Sequence, residues 1–467
     1  MAKLDFDSSI AFLLKKGFDS HGHFEGAPVD EAIRQILLEV AELYDHDNKL
    51  AERFKTLTGK THHQVLEDLE YISALSEQPA RQMDFAKDFL PSLFLMKLAE
   101  ASNPEYIYKV TKAQLEYDLR VNGGFSREIN PTVWLEMGFD YDASCNAFVK
   151  GVEAALENAI IRGNIEIGVS VKRKFVQRFP DKNKDPLISN VEDVYLKCTD
   201  LVEKLKMSKV GDKVKIFINT IDLARSDPLF SFKGNDERGE YTKRLYSKAE
   251  ELGVYSYVHL LEELANPELL LEGQEREYEL EFILDLFEEL GIKNPRFIHM
   301  AYWPKANRLP FLERMKQINS EIAICQSSTR SLGVTHNPPS PFLLQSKEVV
   351  EGAIYDQDFP KLMLGSDDMG PFKVKNIWEE YATVYKDVNE WHGSENADLL
   401  LIQLLRDSYN GLSSAQIEQQ FGLNKMAVDF VFAYDIYKEK HQLRSKPVTE
   451  AVRERVADIL EKQKELK

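Results

Sequence analysis

The chain has 467 residues, 43% hydrophobic and 29% charged, which is enough apolar material for one large domain with elaborations or two ordinary ones. Its formal net charge of −18 disfavours a nucleic-acid polymer or an anionic membrane as partner, while leaving room for a small anion in a locally basic pocket. No apolar run approaches the ~18 to 20 residues of a membrane helix, Ile10 to Leu14 is too short for a signal peptide, and three scattered cysteines (Cys145, Cys198, Cys325) argue against a disulfide framework, so a soluble cytoplasmic protein is expected.

In chain order, Phe18 to Phe24 reads as a first strand, and the pattern from 28 to 108 is helical, as in EAIRQILLEVAELY and KDFLPSLFLMKLAE. Strands are then predicted at Gln114–Val121, Ile165–Lys172, Val214–Leu223, Val254–Leu260, Arg296–Met300, Ile322–Gln326 and Lys361–Gly365, with helical runs such as REYELEFILDLFEELG between the later ones. Eight strands with intervening helices predict an α/β protein, a (β/α)8 TIM-type barrel over 1–372 with 28–108 as a helical insertion after strand 1. A doubly wound open sheet is the alternative, but no Gly-rich phosphate fingerprint follows the first strand. Residues 373–467 read as a helical C-terminal extension packed on the barrel, ending in a charged tail helix from Glu450. Both helical additions offer surface for oligomerisation, and neither specifies a partner.

The chemistry-bearing residues sit at the ends of these strands. In DSHGHFEG, His21 and His23 are two apart, so on a strand they project to one face, and at the C-terminal end of a barrel's first strand that face is the mouth. Alone, the pair is half a zinc site, since zinc takes near-tetrahedral N, O or S ligands and a catalytic site leaves one position for water. Strand five ends in His259, within YVHLLEE, with Glu262 three residues on; strand six ends in His299, within FIHMAYW; strand eight runs into Asp367–Asp368, within LGSDDMG. Any one of these is ordinary on its own: a lone strand histidine is usually a satisfied core residue, and two adjacent aspartates usually make a solvated turn. Four of eight strand ends bearing His or Asp are harder to explain that way.

These segments, in this order and at about this spacing from residue 17 to 372, resemble the adenosine and AMP deaminase family of the amidohydrolase superfamily. DSHGHFEG matches that family's D-x-H-x-H-[LF]-[DE]-G start and GSDD its [NST]-x-D-D ending, while HLLE, IHM and ICQSS stand where it has H-A-G-E, G-H-G and C-P-x-S. The resemblance implies that His21, His23, His259 and Asp367 hold a single Zn2+ per chain. It further implies that Glu262 protonates the ring nitrogen beside the amino-bearing carbon, that His299 takes the proton of the attacking water, that Asp368 accepts a hydrogen bond from the purine, and that Glu25 faces the sugar. A glutamic acid can donate only where desolvation raises its pKa, as a ligand-covered pocket would do. Two-metal relatives use a lysine late on strand four; here KIFINTIDLA has Lys215 only near its start, which favours one metal. The H-x-E and P-C-x-x-C signature of cytidine-type deaminases is absent.

The chain also departs from the family. Arg225 stands at the glycine of D-L-A-G, Leu261 replaces the glycine before Glu262, and Ile298 and Met300 replace those flanking His299. Glycine lets a backbone approach a ligand closely, so the pocket around base and sugar is expected to be reshaped. Basic residues gather near predicted strand ends, at Arg120, Lys172–Arg173–Lys174, Arg178, Arg225, Lys305, Arg308 and Arg330. Arginine forks suit phosphate oxygens, though most surface charges are solvated or salt-bridged, and Glu25 suits a 5′-hydroxyl better than a phosphate. The substrate expected is a purine nucleoside or small nucleotide, adenosine or deoxyadenosine, AMP or dAMP. A catalytically silent barrel binding purine nucleotides, and a deaminase of another purine-like ring, stay open as alternatives.

Overall fold

Short, β-branched-rich runs bounded by turns pair side by side, because each exposes a row of backbone donors and acceptors that only a neighbouring strand can satisfy. In the computed structural model, which describes residues 18–24, 26, 30–67, 98–99, 102–131, 134, 139–157, 165–172, 191–221, 237–260, 273–300, 308–331, 343–356, 358–367, 376–410, 456–457 and 459–461, this gives eight parallel strands among the described residues. They are β1 (Phe18–Asp19), β2 (Gly124–Ile129), β3 (Ile165–Lys172), β4 (Lys215–Ile221), β5 (Tyr255–Leu260), β6 (Arg296–His299), β7 (Glu321–Ile324) and β8 (Lys361–Leu364). Neighbours in the sheet follow chain order from β1 to β8. The two edges also meet: Ser20 N donates to Leu364 O at 2.9 Å, Asp367 N donates to His21 O at 3.0 Å, and Gly22 bridges Asp367 in parallel. The sheet is a nearly closed (β/α)8 barrel, as expected.

The second strand is a correction. The segment Gln114–Val121, expected to be a strand, is the end of a helix, Pro104–Val121, capped by Asn103, whose side chain accepts from the backbone N–H of Glu105 and Tyr106. Pro104 suits the first turn, and buried Ile107, Val110, Thr111, Gln114, Leu115 and Asp118 recur every three or four residues along one face. The strand that pairs with β1 and β3 is GFSREI, all six residues of it buried, Arg127 and Glu128 included. Arg120 therefore belongs to the helix, where it is exposed and pairs with Asp30 at 2.6 Å, instead of following a strand. Other limits shift less: β7 stops at Ile324 because Gln326 already opens a short helix, Gln326–Ser331.

Two large apolar clusters fill the space between sheet and helices. One joins Phe24 and helices Glu31–His46 and Pro104–Val121 to β2, β3 and β4 through Ile33, Leu37, Val110, Leu115, Phe125 and Ile167. The other joins β5–β8 to helices Ile377–His392 and Ser394–Asn410, with Trp378, Tyr381 and Leu401 in one cluster with Leu362 and Leu364. The predicted helices between 68 and 97, and nearly all of those after 410, lie outside the described residues. Cys145, Cys198 and Cys325 are buried and free, and no helix among the described residues is long and apolar enough to cross a membrane.

Near the starts of the strands a buried ion cluster ties the barrel together. Arg296 of β6 donates to Glu166 of β3, to Glu321 of β7 at 2.8 Å and to the backbone carbonyl of Ser20 at 3.1 Å; Tyr257 of β5 donates its hydroxyl to Glu166 at 3.0 Å. Burial opposes charge on Glu166, yet Arg296 and Lys215 hold its pKa below the usual range. Removing one partner of such a pair strands the other in a dry interior. Arg296→Met is expected to cost about 3–5 kcal/mol in chemical denaturation, and adding Glu166→Gln should recover part of that loss.

Candidate metal centre

The opposite ends of the strands carry the histidines. After β1 the chain stays extended against its neighbours on both sides, Gly22 bridging Asp367 and His23 bridging Glu128. Alternation then turns His21 and His23 to the same side, their ring centroids 4.8 Å apart. His259 near the end of β5 lies 4.7 Å from the His21 ring, and His299 at the end of β6 lies 5.5 Å from His21 and 4.8 Å from His259. Asp367 completes the group: its Oδ1 is 3.2 Å from His23 Nε2 and 3.7 Å from His21 Nε2. His21, His259, His299 and Asp367 are all buried. The structure thus brings together the four expected metal ligands and the expected general base.

The donor set fits a zinc ion. Two ligand atoms bound ~2.1 Å from one tetrahedral ion lie ~3.4 Å apart, close to the spacings of Asp367 Oδ1 from both imidazoles. His21 Nε2 is buried with no hydrogen-bond partner, and 3.7 Å from Asp367 is long for a hydrogen bond. Burial lowers the His21 pKa to about 3, which keeps the ring neutral and able to ligate at neutral pH. For Asp367, burial alone would raise the pKa, but the imidazoles of His21 and His23 hold it well below the usual carboxylate range.

Two residues missed in the sequence shape this centre. Glu128, fully buried on β2, places Oε1 3.1 Å from His23 Nδ1 and 3.3 Å from His259 Nε2. It went unseen because the strand that carries it was placed ten residues early. Asp19 is the hub beneath the site: its Oδ1 accepts from Ser366 N at 2.8 Å, and its Oδ2 accepts from the Ser366 hydroxyl and from Arg127 Nη2 at 2.8 Å. Arg127 in turn grips Asp118 with two bonds, of 2.6 and 2.9 Å. The first letter of DSHGHFEG therefore fixes the residue just before Asp367.

The backbone is held in unusual conformations here. His299, Met300 and Asp367 have φ of 72°, 46° and 56°, the left-handed region that costs most residues of order 1–3 kcal/mol. Met300, which replaces a glycine of the resembled pattern, keeps the conformation that a glycine would adopt without strain. Gly22 answers to space instead: a Cβ there would lie 2.8 Å from the carbonyl oxygen of Asp367 and closer still to the Arg127 guanidinium.

Glu25, Arg225, Glu262 and Asp368 lie outside the described residues. Apart from Arg120, the expected basic positions lie outside them too, in whole or in side chain. One further group of metal-capable side chains occurs among the described residues: Asp45 Oδ1 is 2.9 Å from both His62 Nε2 and His63 Nε2. His62 Nδ1, however, is buried with no partner, so this group lacks the outer hydrogen bond that orients a metal-binding imidazole.

The tight fit at Gly22 makes it testable. Gly22→Ala is expected to destabilise by about 1–3 kcal/mol and to weaken zinc binding, because relief requires moving Arg127 or Asp367. Thermal melts with and without zinc would read both effects, and a wild-type response to zinc would contradict the reading.

No protein-family model and no curated protein matches the sequence. Solved structures do. The apo structure of the N6-methyl-AMP deaminase from Arabidopsis thaliana aligns over 91% of this chain and 98% of its own, at 14% identity and TM-score 0.52. Arabidopsis ADAL complexed with IMP aligns over 92% and 99%, at 13% identity and TM-score 0.52. The GMP complex of ADAL covers 91% and 98%, at 14% identity and TM-score 0.52. At these identities the likeness concerns the fold alone: the described barrel is the fold of those deaminase structures.

Proposed function

We propose that the chain is a zinc-dependent hydrolase that replaces the amino group of an adenine ring with oxygen, in a purine nucleoside or small nucleotide, and releases ammonia. The observation that carries this reading is the convergence of His21, His23, His259 and Asp367, with His299 against the same imidazoles, at the C-terminal ends of a parallel barrel. His21, His23, His259 and Asp367 would hold one zinc ion per chain. When bound there, zinc supplies Lewis acidity and brings the pKa of a water molecule toward ~7. His299 would accept the proton of the attacking water as the water's oxygen bonds to the amino-bearing ring carbon. Glu262, protonated in the covered pocket, gives its proton to the adjoining ring nitrogen. The carbon–nitrogen bond then breaks, the amine leaves with a proton passed through the same residues, and the ring carbon keeps the oxygen. Asp368 holds the purine by a hydrogen bond, and Glu25 and Arg225 meet the sugar and its 5′ end.

A 5′-monophosphate is favoured among the substrates. Two of the similar structures carry IMP or GMP, and the third is named for a methylated AMP. Arg225, where the resembled pattern has glycine, offers a fork for phosphate in an otherwise acidic chain. The test is ultraviolet spectroscopy of the zinc-loaded protein with adenosine, deoxyadenosine, AMP, dAMP and N6-methyl-AMP. Conversion of at least one, with monophosphates ahead of nucleosides, is expected. No spectral change with any of them would overturn the proposal, and calorimetric binding without turnover would make the chain a nucleotide-binding barrel instead. His299→Ala should lower kcat by on the order of 10²–10⁴-fold with zinc still bound; loss of the zinc would move His299 into the ligand set.

A further inference from the structure

Glu128 takes no part in the chemistry proposed above, yet its carboxylate is fully buried against two of the imidazoles. Burying a carboxylate is expensive unless its oxygens find partners. Oε2 accepts from the side-chain amide of Asn219 on β4, while Oε1 is buried without a hydrogen bond and faces His23 Nδ1 at 3.1 Å and His259 Nε2 at 3.3 Å.

The two nitrogens of His23 face different carboxylates. Nε2 points to Asp367 Oδ1 at 3.2 Å, the oxygen that also faces His21, so this is the side where an ion would bind. Nδ1 points away from it, to Glu128. A neutral imidazole carries one proton, and only the other nitrogen can ligate a metal. The backbone sets the same register: Glu128 N donates to Gly22 O, and Phe24 N donates to Glu128 O, both at 3.0 Å. His23 is therefore held against one residue by the main chain of Gly22 and Phe24 on either side of it, and its ring faces the same residue.

Resting on the metal-centre reading, we propose that Glu128 is a positioning residue for the metal site: held by Asn219, it accepts the Nδ1–H of His23 and so commits Nε2 to the ion. Outer carboxylates on metal-bound histidines raise ligand basicity and fix ring orientation, and losing one typically weakens metal binding 10–100-fold.

The test is zinc titration of the full-length metal-free protein against a chromophoric chelator, for wild type, Glu128→Gln, Glu128→Asp and Asn219→Ala. Glu128→Gln should still bind one zinc per chain, with affinity lower by roughly 10–100-fold. Glu128→Asp should recover part of the loss, and Asn219→Ala should show a smaller loss in the same direction. In the cobalt(II)-loaded protein, one histidine N–H resonance shifted by the metal should exchange slowly with solvent in wild type and quickly in Glu128→Gln. Unchanged zinc affinity in both Glu128→Gln and Asn219→Ala would overturn the proposal, as would visible cobalt bands that change coordination number in Glu128→Gln, which would make Glu128 a direct ligand. If Glu128→Gln fails to fold, Asn219→Ala decides, since it leaves the carboxylate in place. Failure of the wild type to bind zinc would defeat the metal-centre reading itself, a result separate from any difference among variants.

Discussion

The structure depends on the seam where the barrel's first and last strands meet. β1 is only two residues long as a regular strand, and what continues it is a set of contacts between DSHGH and the end of β8. Ser20 N donates to Leu364 O and Asp367 N to His21 O across the seam, Gly22 bridges Asp367, and Asp19 binds both the backbone and the hydroxyl of Ser366. These are the bonds that close the sheet, and they are also the bonds that bring Asp367 against His21 and His23. Closing the fold and assembling the site are thus one event. A side chain at position 22 would break into that seam, which is why the residue between the two histidines is glycine.

The electrostatics of the seam follow from its dryness. Glu128 and Asp367 are buried carboxylates, and His21 is held neutral by its burial. Burial works against both carboxylates, yet the surrounding imidazoles hold each well below its usual pKa. Two negative charges among nitrogen donors, with little water, form an environment that a divalent cation would complete. The Arg296 cluster on the other side of the barrel solves the same problem differently, matching Glu166 and Glu321 with a fixed guanidinium. The contrast separates the two ends. One supplies its own cation and is a structural tie, while the other presents donors that would take one from outside.

The motif-bearing strand ends were legible because their chemistry is unusual for their surroundings. His259 and His299 stand in apolar strands, and Asp367 follows one, so spacing and strand periodicity together placed them on one rim. The strand IEIGVSVK was read residue for residue, since a β-branched run buried on both faces has no helical counterpart. GFSREI was not, because two charged side chains in six residues look like a surface turn until tertiary partners are known: Arg127 is neutralised by Asp19 and Asp118, and Glu128 is gripped by Asn219. QLEYDLRV was read as a strand because its period of three and four becomes clear only when extended back to the Asn103 cap. Glu128 and Asp19 were missed for the same reason: their roles lie in contacts between strands far apart in the chain.

The most direct test of the central claim is a crystal structure of the zinc-loaded protein with anomalous diffraction recorded across the zinc edge. The account predicts one strong peak per chain, ~2.0–2.2 Å from His21, His23, His259 and Asp367, with His299 and Glu128 next to it but not bonded. A peak confined to Asp45, His62 and His63, or no peak at the strand ends, would contradict it.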